Sequence, residues 1–176
     1  MTRLRSLQAA LAASAVILAA APAATAAAQQ TTSPPQQAEA ASTSDDERAV
    51  LAVVTGLFDA MRARDTAAIR ASFIPGAELT SSSVRDGQPT VGRDSVGSWI
   101  ASVAGAPPGL LLDERIYSPQ VHLSDGLATV WVEYDLYVGE RFNHCGVDAF
   151  ILVRTAEGWK VSSVADTRRR EGCPTR

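Results

Sequence analysis

Three carboxylates and one imidazole carry most of the chemistry open to this chain. Glu133, Asp148 and Asp166 lie on three successive runs in which apolar and polar residues alternate, and His144 sits near the start of the middle run. If the connecting turns close around Glu140-Arg141 and Ala156-Glu157, the acids fall in one row, with cross-strand neighbours about 5 Å apart. Ionised carboxylates at that spacing repel one another. Either Arg168 and another cation neutralise them, or one keeps its proton, or a bulge moves the register. A carboxyl with a raised pKa in a cleft is what general acid–base chemistry uses, so Asp148 and Asp166 are candidate catalytic groups. The alternative is a solvated outer face whose acids pair with Arg115, Arg141, Arg154 and Arg168, the usual meaning of charge along one strand face.

His144 joins the two aspartates as a candidate base or hydrogen-bond donor, because an imidazole titrates near neutrality. It precedes Cys145, but adjacent strand residues point to opposite faces, which argues against a Cys–His nucleophilic couple. His122, beside a turn, reads as solvated. No HxH, CxxC or HExxH spacing occurs, so neither a metal site nor a cofactor is expected. The strand face that carries the acids also carries large side chains, and Trp131, Glu133, Tyr137 and Arg168 make a candidate ligand-binding set. Trp131 with Phe150 and Val164 equally suits a dimer interface. Arg168-Arg169-Arg170 could draw an anionic ligand, although solvated charge at a strand end is the plainer reading.

The elements that must position these groups are legible in the periodicity. Ser44-Asp45-Asp46-Glu47 has the form of a capping box, and the helix after it places Val50, Val53, Val54, Leu57, Phe58 and Met61 on one stripe. Asp65 reads as the cap of a short second helix through about Ser72, stopped by Pro75-Gly76. Asp86-Gly87 is a tight-turn pair joining Glu78 to Val84 with Gln88 to Val91, an exposed or rim hairpin. Asp94 or Ser95 caps a third helix whose apolar face is Val96, Trp99, Ile100 and Val103. A strand from Leu110 to Leu123, interrupted near Pro119, then leads into the long runs Leu127–Val138, Cys145–Arg154 and Trp159–Arg168. Alternation sorts these three into two lists. Val130, Val132, Tyr134, Leu136, Cys145, Val147, Ala149, Ile151, Val153, Trp159, Val161, Ser163, Ala165 and Thr167 read as the face against the helices. Trp131, Glu133, Asp135, Tyr137, His144, Asp148, Phe150, Val164, Asp166 and Arg168 form the mixed face. The order makes an α+β domain with a mainly antiparallel sheet.

Totals bound the rest. Among 176 residues the net charge is −3, and clustered positive charge is confined to Arg168–Arg170, so nucleic acid is excluded as a partner. Arg3 and Arg5, the apolar stretch Leu7–Ala20, Pro22 and the small residues Ala24-Thr25-Ala26 form a secretory signal peptide over residues 1–28, with cleavage after Ala26 or Ala28. Residues 29–43, rich in Gln, Ser, Thr, Ala and Pro, read as a flexible linker, and residues 44–176 as one domain. The protein is therefore expected in the periplasm or secreted, with no membrane attachment once the signal is removed. In such an oxidising compartment the even pair Cys145 and Cys173 favours a disulfide closing a loop of about 29 residues, worth roughly 3–4 kcal/mol.

The element order, with Leu57-Phe58-Asp59-Ala60-Met61 in the first helix and Gly158-Trp159-Lys160-Val161 in the last strand, resembles the nuclear transport factor 2-like superfamily. Its SnoaL-like and lumazine-binding-like bacterial members are the most similar. The resemblance runs from about Asp45 to Thr167 and implies a cone-shaped barrel, three helices on a curved sheet, often dimeric through the outer sheet face. Members include steroid isomerases, polyketide cyclases, dehydratases and epoxide hydrolases, so the fold does not choose the function. The isomerases use a tyrosine on the first helix, which this chain lacks. SnoaL-like cyclases use a His–Asp pair, for which His122 and His144 are the available histidines. The expectation is binding of a small, mostly apolar molecule in the cone of a homodimer. General acid–base catalysis and a filled, purely interacting cone are the alternatives.

Overall fold

A computed structural model describes residues 36–176, with side chains from residue 45. The signal peptide expected over residues 1–28 lies outside the described residues, as does the linker up to residue 35. Helix α1 spans Gln36–Ala63, so Ser44 lies inside it and not at its cap. The run Gln36-Gln37-Ala38-Glu39-Ala40-Ala41 consists of strong helix formers, and it carries the helix through a stretch whose composition alone suggests a tether. The expected stripe is present: Val50, Val54, Leu57, Phe58 and Met61 are buried. Arg64, in the left-handed region at φ 55°, ends the helix. The Asp65 carboxylate then accepts from the N–H groups of Ala67 and Ala68 at 3.1 and 2.9 Å, capping α2 (Thr66–Ala71). Ser95 caps α3 (Val96–Gly105) in the same way, its Oγ 3.0 Å from the Ser98 N–H.

Six strands follow and interleave: β1 (Phe73–Arg85), β2 (Gln88–Ser95), β3 (Leu112–Ser124), β4 (Leu127–Val138), β5 (Arg141–Thr155) and β6 (Gly158–Arg168). Their order in the sheet is β2-β1-β6-β5-β4-β3. The Asp86-Gly87 turn, with φ of 51° and 75°, forms the expected hairpin. That hairpin is no isolated rim element, because β1 runs parallel to β6 and extends the sheet. All other neighbours are antiparallel. Three helices cover one face of this mixed, mostly antiparallel curved sheet. The core lies between, where Phe58 meets Phe150 edge-on at 5.9 Å, and each fully buried side chain of this kind stabilises by about 1.5–3 kcal/mol.

Which residues face the core departs from simple alternation on β5 and β6. The turn between β4 and β5 pairs Val138 with Arg141, and a register shift between Leu136 and Tyr137 leaves Asn143 as an extra residue on β5. Consequently Asp148 opposes Val132, and Glu133 opposes Val147. A shift of one residue turns a strand over. Asp148, Phe150 and Leu152 therefore face inward, and Ile151, 42% exposed, faces outward. A second shift between Ile151 and Leu152 acts on β6. Trp159 and Val161 face the core as expected, but beyond the shift Val164, Asp166 and Arg168 face inward in place of Ser163, Ala165 and Thr167. Cys145 and Cys173, 28 residues apart in sequence, form a disulfide with Cα atoms 6.0 Å apart. Among the described residues no helix is long and apolar enough to cross a membrane.

Candidate functional site

The helices and the inner sheet face bound a cavity of about 330 Å³. Most of its lining is apolar: Leu57, Phe58 and Met61 of α1, Trp99 and Val103 of α3, and Phe73, Leu79, Leu112, Leu136, Phe150 and Val164 of the strands. Set into that lining are Glu114, Tyr134, His144, Asp148, Asp166 and Arg168.

Asp148, 4% exposed, opposes Asp166 on β6, and the Glu114 carboxyl of β3 is within hydrogen-bonding reach of it. Asp166 is well supplied. It accepts from Ser81 Oγ at 2.6 Å and from Arg168 through Nε at 2.5 Å and Nη2 at 3.2 Å. Among the described residues no N–H or neutral hydroxyl reaches the buried Asp148 Oδ2. A buried carboxylate without a donor is costly, and a proton held within the pair removes the cost. Burial pushes Asp148 well above the ordinary carboxylate range, the charge of Glu114 and the hydrogen bond to it adding to the effect. Glu114 is pushed up to about 7, chiefly by burial, against the downward pull of the bond from Asp148. Both carboxyls are thus raised by burial, and the pair holds a proton between them.

Two neighbours are held neutral. Burial raises the Tyr134 phenol, with the charge of Asp148 next in importance, and its hydroxyl donates to the Thr167 carbonyl at 2.9 Å. Burial, followed by the charge of Arg168, lowers His144. His144 Nδ1 lies 2.7 Å from Asn143 Oδ1, and an amide oxygen only accepts. The neutral ring therefore carries its proton on Nδ1 and its lone pair on Nε2.

Glu114 is aimed inward by its predecessor. Asp113, 8% exposed, accepts from Arg62 Nε at 2.7 Å and Arg115 Nε at 2.8 Å, and Arg62 also binds Asp59 at 2.6 Å. Burial works to raise Asp113, but the bonds from Arg62 and Arg115 outweigh it and hold the carboxyl below its usual range. This clasp ties the end of α1 to the start of β3, and the next residue along a strand must face the other way. Arg64 adds a second tie, donating to the carbonyls of Ala106 at 2.9 Å and Pro107 at 2.6 Å.

Of the residues singled out in the sequence, His144, Asp148, Asp166 and Arg168 line the cavity. Trp131, Glu133 and Tyr137 do not, because the β4–β5 register places them on the outer face. Trp131 is 50% exposed, Glu133 pairs with Arg176, and Tyr137 packs on Phe142 at 5.7 Å beneath the Arg115 guanidinium. Asp148 and Asp166 are cross-strand partners, but Glu133 is not in their row. The third acid of the cavity is Glu114 on β3, which is separated from β5 by β4 and lies on the rung of Leu136 and His144. The signal was present: Glu114 shares its strand face with Leu112 and Ile116, an acid set between two apolar neighbours.

A family model described as "Putative lumazine-binding" matches residues 45–165. The chain belongs to that family. It thereby sits in the nuclear transport factor 2-like superfamily, and solved structures agree on the fold. An NTF2-like protein of unknown function from Silicibacter pomeroyi is 22% identical, over 72% of this chain and 98% of that one, with a TM-score of 0.55. An NTF2-like protein with a cystatin-like fold from Novosphingobium aromaticivorans is 12% identical over 81% and 94% of the two chains, with a TM-score of 0.61. A protein named a "putative dehydratase" of the NTF2-like family, from Streptomyces avermitilis, is 18% identical over 73% and 99%, with a TM-score of 0.55. No curated protein matches the chain.

Proposed function

We propose that this domain binds a small, largely apolar molecule in its cone, with one polar group of that molecule hydrogen-bonded to the Glu114–Asp148 pair. The observation that carries this reading is the conjunction of an apolar cavity of about 330 Å³ with two carboxyls on its wall, the buried Asp148 and the half-buried Glu114. Such a pair offers both a donor and an acceptor to a carbonyl, hydroxyl or ring nitrogen, and few convergent polar groups in an apolar cleft are typical of a ligand site. The family description points to lumazine, which belongs among the compounds tested. The test is titration with the neutral fluorophore N-phenyl-1-naphthylamine. One saturable site per chain is expected, and Ala106→Trp, which fills the cavity wall, should abolish it while the circular-dichroism melt stays cooperative. Absence of saturable binding, or binding untouched by Ala106→Trp, overturns the reading.

A specific observation favours a second reading, general acid–base catalysis on the bound molecule. With Glu114 raised to about 7, the pair can take or give a proton near neutral pH, where proton transfer is most effective, and His144 Nε2 offers a further acceptor. Turnover with a bell-shaped pH profile, lost in Asp148→Asn, would separate this from binding alone. Export to the periplasm or beyond is supported by the N-terminal pattern and the disulfide. A homodimer is supported by the exposed outer-face residues Leu127, Trp131 and Ile151.

A further inference from the structure

At its His144–Arg168 end the cavity adjoins a surface groove of about 1020 Å³, and both residues line the two spaces. Arg85, Arg168, Arg169 and Arg170 face this groove against Asp86 and Glu171. In a chain of net charge −3 this is a local reversal of sign. It is also a built feature. Parallel pairing of Ser83 with Arg168 brings the end of β1, with Arg85, beside the end of β6. Cys145 and Arg169 exchange backbone hydrogen bonds of 2.9 and 3.0 Å, and the Cys145–Cys173 disulfide closes the tail back onto β5. The segment bearing Arg170 is thereby held at the groove. Arg168 is occupied by Asp166, whereas Arg85 and Arg170 form no ion pair among the described residues.

We infer that this groove is an oxyanion subsite, which takes a carboxylate or phosphate at one end of the molecule whose apolar body fills the cone. The inference rests on the proposed cavity function and narrows it to amphipathic, anionic ligands. Guanidinium forks match carboxylate and phosphate oxygens in geometry as well as charge, and Asn143 and Thr167 add neutral donors on the same wall.

The experiment is displacement of N-phenyl-1-naphthylamine at pH 7.5 by 1-decanol, by decanoate and by decyl phosphate, with NMR shifts of the Asn143 and Thr167 amides followed under inorganic phosphate alone. Decanoate and decyl phosphate should bind about tenfold or more tightly than decanol, as expected for a charge-assisted bond. That advantage should vanish in Arg85→Gln with Arg170→Gln, leave decanol affinity unchanged and fade as NaCl rises from 50 to 500 mM. A larger gain for decyl phosphate than for decanoate assigns the subsite to phosphate, and the reverse order to carboxylate. Decanol, decanoate and decyl phosphate binding alike, or phosphate leaving both amides unmoved, overturns the subsite while the cavity stands. Failure of decanol to displace the fluorophore overturns the cavity, and the subsite with it.

Discussion

Replacing Glu114 by Gln keeps the shape of the side chain and an acceptor for the Asp148 proton, and removes one ionisation. An acid whose pKa is higher folded than unfolded binds more protons in the folded state between the two values. Stability therefore falls as pH rises through that interval and is level outside it. For Glu114 the interval runs from 4.5 to about 7. At about 1.4 kcal/mol per unit of pH this is worth about 3 kcal/mol, and water entering by the open mouth reduces it to about 1–3 kcal/mol. Glu114→Gln should gain that much on the wild type between pH 4.5 and pH 8, a gap in Tm that widens by about 3–10 °C for a domain of this size. His144 acts in the opposite sense. Burial lowers its pKa, so it costs stability as pH falls below 6.5, but Glu114 is not among the charges that act on it. Its contribution cancels in the difference between the two proteins. Urea denaturation followed by circular dichroism at half-unit steps of pH gives that difference directly. A gap that stays flat from pH 4.5 to 8, or narrows as pH rises, refutes the idea that burial holds the Glu114 proton.

Three further outcomes are expected. Reduction, or Cys145→Ser with Cys173→Ser, should cost about 3–4 kcal/mol by releasing the 28-residue loop, and an unchanged melt would contradict a disulfide in solution. Gly146→Ala should lose about 3 kcal/mol or more or fail to fold, because a β-carbon there would lie 1.7 Å from the Thr167 carbonyl oxygen. Gly92→Ala, with nothing within 4 Å, is the control that should melt near the wild type. Trp131→Lys should shift the mass measured by light scattering from dimer to monomer without changing fluorophore affinity, and a wild type that is monomeric at every concentration removes the outer-face interface.

The elements were legible because each rests on local chemistry. Asp65, Ser95 and the Asp86-Gly87 pair act through their own hydrogen bonds and φ angles, and the α1 stripe needs only a period. The face of each strand is a different matter, since it depends on one residue at a bulge. Asn143 and Ser162 look like ordinary strand residues, yet the shifts they mark turn β5 and the second half of β6 over. The extra residue Ser162 moves Asp148 from opposite Ala165 to opposite Asp166, whereas the extra residue Asn143 sets Asp148 opposite Val132 and leaves Glu133 opposite Val147. Trp131 and Tyr137 followed Glu133 outward for the same reason. Glu114 lies in the uninterrupted alternation Leu112, Glu114, Ile116, but nothing local shows that β3, separated from β5 by β4, brings its carboxyl to Asp148. The parallel pairing of β1 with β6 joins segments far apart in sequence, and no local signal encodes it.

The most direct test of the carboxyl pair in the cone is a pH titration of side-chain carboxyl carbons by ¹³C NMR, with Glu114 assigned by comparison with Glu114→Gln. The Glu114 signal should titrate with a midpoint near 7, and filling the cone with an uncharged apolar molecule should move it further up. A midpoint at the ordinary 4.5, indifferent to any such molecule, would mean that the pair stands in bulk water and that the cone is not the site.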